Sequence, residues 1–197
     1  MQLASLGFHV DGLDVAHNPE TIEEFKKKEG LQTKIWKALE NGSTSLRFYD
    51  GIKLPFGDQC FDAVVAHAVV EHIPAYVINQ LFQEIQRVLK SRGYFFIFRT
   101  PRKQALMEHV ARILRMGSHD VLMDEQEMIS MLKRNNFEVI SFRRTDMVFG
   151  VFRGKLQDVW NFLSPALLIV DELLLDTPLS CLAHHMQVVC QKPKTEK

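Results

Sequence analysis

The chain has 197 residues and a mass of 22.8 kDa; 46% of it is hydrophobic, and its 24 basic residues balance 24 acidic ones. That is one domain's worth of protein with ample apolar material for a core, which argues against disorder, a strongly basic nucleic-acid binder and an acidic tail. Cys60, Cys181 and Cys190 stand far apart with no C-x-x-C spacing, so neither a disulfide framework nor a cysteine zinc site is expected, and the usage suits a reducing, cytoplasmic setting.

In chain order, residues 2–6 read as the end of a helix stopped by Gly7, and 8–15 as a short buried strand closed by Asp14 and Val15. Pro19 opens a charged helical stretch over 20–28, and 31–39 is a second candidate helix ended by Asn41-Gly42. A strand over 46–49 leads into a loop, 51–59, which contains Pro55 and Gly57; the apolar run 61–67 has strand length. Val77, Ile78, Leu81, Phe82, Ile85, Val88 and Leu89 recur at threes and fours, which predicts a helix over 75–90, stopped by Gly93 before a strand over 94–98. Helices follow near 103–115 and 124–134; in the second, Asp124 with Glu127 has the pattern of a capping box. Strands at 137–142 and 186–191 flank a long, apolar, partly helical stretch, 146–185. The strand–helix alternation predicts an α/β protein with a parallel sheet, whose ligands bind at the carboxyl ends of the strands. The start of the chain lacks the features of a signal peptide. The most apolar run, 165–183, holds Asp171, Glu172, Asp176 and Pro178, so no membrane span is expected.

Three places carry candidate chemistry. Asp14, at a strand's carboxyl end, is placed to accept hydrogen bonds from ribose hydroxyls, or simply to cap a turn. Asp50 follows the next strand; Gly51 beside it permits close approach of a ligand and Ile52 can pack on an aromatic base, unless this is an ordinary strand-to-loop turn. Glu71-His72 offers a general base or metal ligands, or else shapes a pocket or packs on the next helix, and His72 is a weak candidate base. The remaining histidines lack metal-ligand spacing with acidic partners, and Arg143-Arg144 reads as an exposed strand end.

The run from Leu54 to Pro101 resembles the middle of a class I S-adenosylmethionine-dependent methyltransferase of the type 11, ubiquinone-pathway-like kind. The resemblance rests on Leu54-Pro55-Phe56, Asp58, Phe61-Asp62, Glu71-His72, Glu84, Arg87 to Lys90, and Gly93, with the 7–14 segment similar to the family's second strand and its ribose-binding acid. It covers roughly half of the chain. It implies a Rossmann-like class I methyltransferase sheet with helices on both faces and S-adenosyl-L-methionine as cofactor. By the same resemblance Asp14 would hold the ribose, Asp50 the adenine amine with Gly51 and Ile52 beside the ring, and His67 would meet the methionine part. A Glu-x-x-Glu-His metal site of ubiquinone-type relatives is interrupted by Ala68, so no metal is expected.

The family's first strand and its D-x-G-x-G-x-G loop would precede Met1. The resemblance therefore implies a single methyltransferase-like domain over 1–197, truncated at its start as part of a longer enzyme, completed by another chain, or closed up across the gap. The segment 146–185 falls where relatives place a substrate-side cover. It reads as a helix packed on the sheet or in a homodimer contact, as a lid over an apolar acceptor such as a quinone precursor or lipid, or as a membrane-surface helix. Sparse flanking Lys and Arg weaken the membrane reading. Methyl transfer to a small, apolar acceptor is the expected function, with a non-catalytic methyltransferase-like partner or scaffold as the alternative. A dinucleotide-using oxidoreductase would share the ribose acid but leaves the 54–62 and 71–93 patterns unexplained.

Overall fold

The computed structural model describes residues 2–15, 44–49, 51–113, 122–147 and 155–194, and its contacts divide the chain into two compact units, Met1–Phe56 and Gly57–Lys197. The expected helices at 20–28 and 31–39 and residue Asp50 lie outside the described residues.

In the first unit, helix α1 (Gln2–Ser5) precedes strands β1 (Val10–Val15) and β2 (Thr44–Tyr49). The two strands pair in parallel, Val10 beside Thr44 through Val15 beside Tyr49. Both carboxyl ends therefore share one edge. Two polar side chains also tie the strands together, since the Ser45 hydroxyl donates to Asp11 and the Arg47 guanidinium lies 3.8 Å from the same carboxylate.

The second unit holds β3 (Phe61–His67), a 3-10 turn (Val70–His72), α2 (Ala75–Val88), β4 (Leu89–Pro101), α3 (Leu106–Ile113), α4 (Glu125–Arg134), β5 (Glu138–Thr145), α5 (Lys155–Leu175), a second 3-10 turn (Pro178–Leu182) and β6 (His185–Gln191). Its four strands lie in the order β3-β4-β6-β5; β3 and β4 are parallel, and the two pairs that involve β6 are antiparallel. The sheet is thus mixed where a parallel one was expected, because β6 runs against both of its neighbours.

The helical spacing of α2 turns Ile78, Phe82, Ile85 and Val88 to the core. The helix packs on β4, and Phe95 and Ile97 of β4 and Val188 and Cys190 of β6 are fully buried as well. Phe82 sits edge-on to both Phe95 and Phe137, at centroid distances of 5.6 and 6.5 Å, and Phe95 and Phe137 are 5.4 Å apart. Such pairs add about 0.5–1.5 kcal/mol each to the burial of their area. Burial also pushes the Cys190 thiol up to about 12.

One boundary differs from the expected one. The helix stops at Val88 and the strand begins at Leu89, so Gly93 lies inside β4 and does not end a helix. The reason is local. Leu89 is already extended, while the Lys192 ammonium, its pKa pulled down by burial, donates to the Gln86 and Leu89 carbonyls at 2.6 and 2.7 Å and satisfies the end of α2. Between Leu89 and Tyr94 the β3–β4 register slips, and Gly93 fits against backbone there: an added Cβ would lie 2.9 Å from the Lys90 carbonyl oxygen and 3.1 Å from that of Asp62.

Helix α4 forms the expected capping box, since the Asp124 carboxylate accepts from the Glu127 N–H and the Glu127 carboxylate from the Asp124 N–H, both at 2.8 Å. It ends in a Schellman turn: Asn136 takes a left-handed φ of 58°, Phe137 N–H bonds to Leu132 O and Asn136 N–H to Lys133 O.

Truncating Phe82 to alanine removes the centre of the aromatic cluster. The expected cost is about 3–5 kcal/mol, read as a lower urea midpoint; a loss below about 1 kcal/mol would show that the cluster is not the core of this unit.

Candidate functional site

In the first unit Asp14 lies exposed at the carboxyl end of β1, level with Phe48 of β2. Gly51 stands just past the end of β2 with φ of 78°, a backbone state that an L side chain rarely adopts, and the Ile52 side chain is exposed. Parallel pairing therefore brings Asp14 and the Gly51-Ile52 turn to the same sheet edge, as adjacent strand ends. A carboxylate acceptor, a glycine that allows close approach and an open aliphatic face are the donor-and-acceptor set that suits a nucleoside: vicinal hydroxyls donate to the acid, and a base stacks on the aliphatic side chain.

In the second unit the carboxyl edge of the parallel β3–β4 pair is built from two left-handed residues, Ala68 (φ 51°) and Arg99 (φ 56°). The Ala68 N–H bonds to Phe98 O at 2.9 Å and locks the β3 end onto β4. Non-glycine residues held there carry strain of about 1–2 kcal/mol each. His67 is exposed at this edge, in register with Phe98. The 3-10 turn that follows packs on β4 and separates the Glu71-His72 pair: the Glu71 side chain is 3% exposed and the His72 side chain 68%, with Nε2 4.0 Å from Glu71 Oε1. The Oε2 atom of Glu71 and the Oγ1 atom of Thr100, near the end of β4, are buried without a hydrogen-bond partner among the described residues. Unmet buried acceptors are uncommon and costly. Of the pair, Glu71 is the one that resembles a functional group in its environment. Among the described residues no three acidic, histidine or cysteine groups converge to hold a metal ion.

The other residues of the 54–93 pattern brace the fold. Arg87 grips Glu84 with two hydrogen bonds, from Nε and Nη2 at 2.8 and 2.7 Å, and reaches Asp58 with Nη1 at 2.8 Å. These bonds, the Glu84 pair first, raise the guanidinium above its ordinary pKa. The Lys90 ammonium meets both oxygens of Asp62 at 2.8 Å, and the Gln59 and Cys60 N–H groups bond to the carbonyls of Arg87 and Val88.

A charged cluster went unread in the sequence. Arg102, directly after β4, is buried; its Nη1 donates to the Ala183 and Cys181 carbonyls at 2.8 and 3.2 Å, and its Nη2 to Glu125 Oε1 at 2.5 Å. Arg144 donates to both Glu125 oxygens at 2.7 and 3.0 Å and to the Ser180 hydroxyl at 3.0 Å. Arg144 is thus half-buried and paired, which corrects the expected exposed strand end; Arg143 alone is exposed, and it pairs with Glu172. The sequence carries no local signal for this cluster, because its members lie 19 to 81 residues apart. The Arg144 hydrogen bond, with the Arg102 charge, holds the Glu125 carboxyl below the usual carboxylate range. Burial pulls the Arg102 guanidinium down, with Glu125 opposing. His185 Nδ1, 2.7 Å from Asp146 Oδ2, likewise holds the Asp146 carboxyl low.

The comparisons with known proteins converge on one fold. The chain superposes on an S-adenosylmethionine-dependent methyltransferase of Methanosarcina mazei with a TM-score of 0.60 and 16% identity, over 98% of this chain and 86% of that one. It superposes on a chain from the Haloferax volcanii complex of the Trm112 methyltransferase activator (TM-score 0.58, 13% identity, 96% and 85% covered) and on the [4+2]-cyclase SpnF (0.54, 14%, 95% and 67%). The fold is therefore the Rossmann-like one of class I S-adenosylmethionine-dependent methyltransferases, a mixed sheet with helices. Residues 1–97 match the model of the methyltransferase domain family, just under half of the chain. The sterol 24-C-methyltransferase ERG6B of Gibberella zeae is 34% identical over 95 residues, 47% of this chain and 22% of that protein, so the match spans about a fifth of that relative's length.

Two outcomes check this geometry. Glu71→Met removes a buried carboxylate with an unmet oxygen and is expected to stabilise the chain by about 1–3 kcal/mol in urea unfolding; destabilisation of that size would mean that the acid is satisfied and structural. Glu125 and Asp146 are depressed in the folded state, so the unfolded chain takes up protons first as pH falls. Their stabilisation is full above about pH 4–5 and is lost as pH drops through the folded values. Glu125→Gln leaves the buried Arg102 guanidinium without its carboxylate; it is expected to cost about 3 kcal/mol near neutral pH and to flatten the acid limb of the stability curve.

Proposed function

We propose that this chain binds S-adenosyl-L-methionine and belongs to an enzyme that passes the methyl group to a small, apolar acceptor. The observation that carries this reading is the shared carboxyl edge of β1 and β2, with Asp14 at one strand end and the Gly51-Ile52 turn at the other, within residues that match a methyltransferase domain. In this reading Asp14 accepts from the ribose hydroxyls, Gly51 lets the backbone approach the nucleoside, and Ile52 covers one face of the adenine. Asp50 takes the adenine amine and His67 meets the methionine portion; both of these roles rest on the family resemblance. When bound, the cofactor supplies an electrophilic sulfonium methyl that an acceptor nucleophile displaces in line. What is left to the protein is to align the two reactants and exclude water. Glu71 is the better candidate of the 71–72 pair for receiving a donor from ligand or acceptor, because it is buried with an unmet oxygen, while His72 is exposed. The support for an apolar acceptor is the relative that its name makes a sterol methyltransferase. The segment 146–185 is proposed as the substrate-side element of a single domain.

A cytoplasmic location is part of the proposal, supported by three unpaired cysteines; no described helix is long and apolar enough to cross a membrane. The alternative, a non-catalytic methyltransferase-like partner, draws support from one observation: Asp58, Glu84, Arg87, Asp62 and Lys90 pair with one another, so much of the family pattern would persist without catalysis.

Titration calorimetry with S-adenosylhomocysteine separates the two. The enzyme reading expects saturable binding that Asp14→Ala weakens by about 5- to 150-fold, the equivalent of 1–3 kcal/mol for lost charge-assisted hydrogen bonds. Absence of heat at millimolar ligand would reject it in favour of the scaffold.

A further inference from the structure

Among the described side chains of helix α5, 162–175, most are apolar, yet only one side of them meets the protein. Ser164, Leu167, Asp171, Leu174 and Leu175 form the inward stripe, half-buried except for the buried Asp171, and the helix packs on β5 and the Pro178–Leu182 turn. Opposite that stripe, Phe162 is 83% exposed, Ile169 65% and Leu173 64%, and on its flanks Leu163 is 44%, Val170 44% and Leu168 65% exposed. A helix whose outward side is apolar is ordinarily covered there. At roughly 200 Å² for a fully exposed large side chain, these six present about 700 Å² over the outer face and its two flanks, of the order of the roughly 800 Å² per partner that a standard protein interface buries.

We infer that a second copy of this chain covers the outer face of α5, in a twofold-symmetric helix-to-helix contact. Two features of the charge pattern select this occupant. A twofold contact sets each residue near the axis against its own copy, so a charged patch there would repel itself; residues 161–170 contain no charged side chain, and Glu172 at the margin is neutralised by Arg143. A lipid surface calls for the opposite flanks, since interfacial helices carry Lys and Arg on their polar side to meet anionic headgroups. Between 155 and 176 a single lysine, Lys155, stands against Asp158, Asp171, Glu172 and Asp176.

Sedimentation equilibrium of the full chain across micromolar concentrations tests this directly. The expected result is a dimer whose dissociation constant rises by roughly 100-fold or more in an Ile169→Glu, Leu173→Glu double variant, as loss of central interface anchors requires. The helical circular dichroism signal and the melting temperature of the separated monomer should be retained. Tyr76→Glu, at an exposed position on α2, adds a negative charge away from the face and should leave the dimer intact. Hydrogen exchange of the unsubstituted chain gives a readout free of folding effects: α5 should gain protection as concentration rises. A monomer at every concentration, a dimer indifferent to the double variant, or concentration-independent exchange of α5 would each overturn the inference. So would a monomer that co-sediments with phosphatidylcholine or phosphatidylserine vesicles, which would transfer the face to lipid.

Discussion

The grip of Arg87 on Glu84 and Asp58 is the contact on which the rest of the second unit depends. It holds the end of α2 against the loop that leads into β3, and α2 is followed without a break by β4. The Gln59 and Cys60 N–H groups bond to the last carbonyls of the same helix, and the Lys90–Asp62 pair closes the next step. The start of β3 and the start of β4 are thereby fixed together, so the two strands run parallel and end at a common edge. Each exposed pair contributes little by itself. The bidentate Arg87–Glu84 contact and the backbone bonds give the junction its geometry, and with it the carboxyl edge where Ala68, Arg99 and Glu71 gather.

That arrangement bears on how a family pattern is read. The residues that made the resemblance recognisable fall into two kinds. Asp58, Asp62, Glu84, Arg87, Lys90 and Gly93 hold a helix and two strands in place, and Gly93 does so because its position has no room for a Cβ. Glu71 does the reverse, since it leaves a buried polar atom without a partner among the described residues and so costs stability where ligands of this fold class bind. A motif match recovers both kinds without distinguishing them. The distinction lies in whether a polar atom is satisfied inside the fold, and that is visible only with coordinates. The fold itself does not decide the chemistry, since a [4+2]-cyclase shares it.

The charged cluster around Glu125 shows a second limit. Glu125 lies in the first turn of α4, where an acid is favoured by the helix dipole and needs no further explanation. Its two arginine partners come from the end of β4 and from β5, and Arg102 also collects the carbonyls at the end of the Pro178–Leu182 turn. One acid and two arginines thus tie three distant segments to one another. Since no partner is within helical or turn distance of another, no window of sequence contains the signal.

What depends on neighbours a few residues apart is legible in the chain's order alone: the threefold and fourfold apolar spacing of α2, the Asp124–Glu127 box that starts α4, the extent of β3, and the placing of Asp14 and Gly51 at strand ends. These are fixed by backbone geometry and by local hydrogen bonds, whose partners lie within one or two turns. Tertiary structure alone decided the antiparallel run of β6 within the sheet, the burial of Glu71 beside an exposed His72, the pairing of Arg144, and the exposure of the outer face of α5. Each of these turns on which surfaces meet across long stretches of chain, and apolar burial and ion pairing carry no record in the sequence of the partner that will satisfy them.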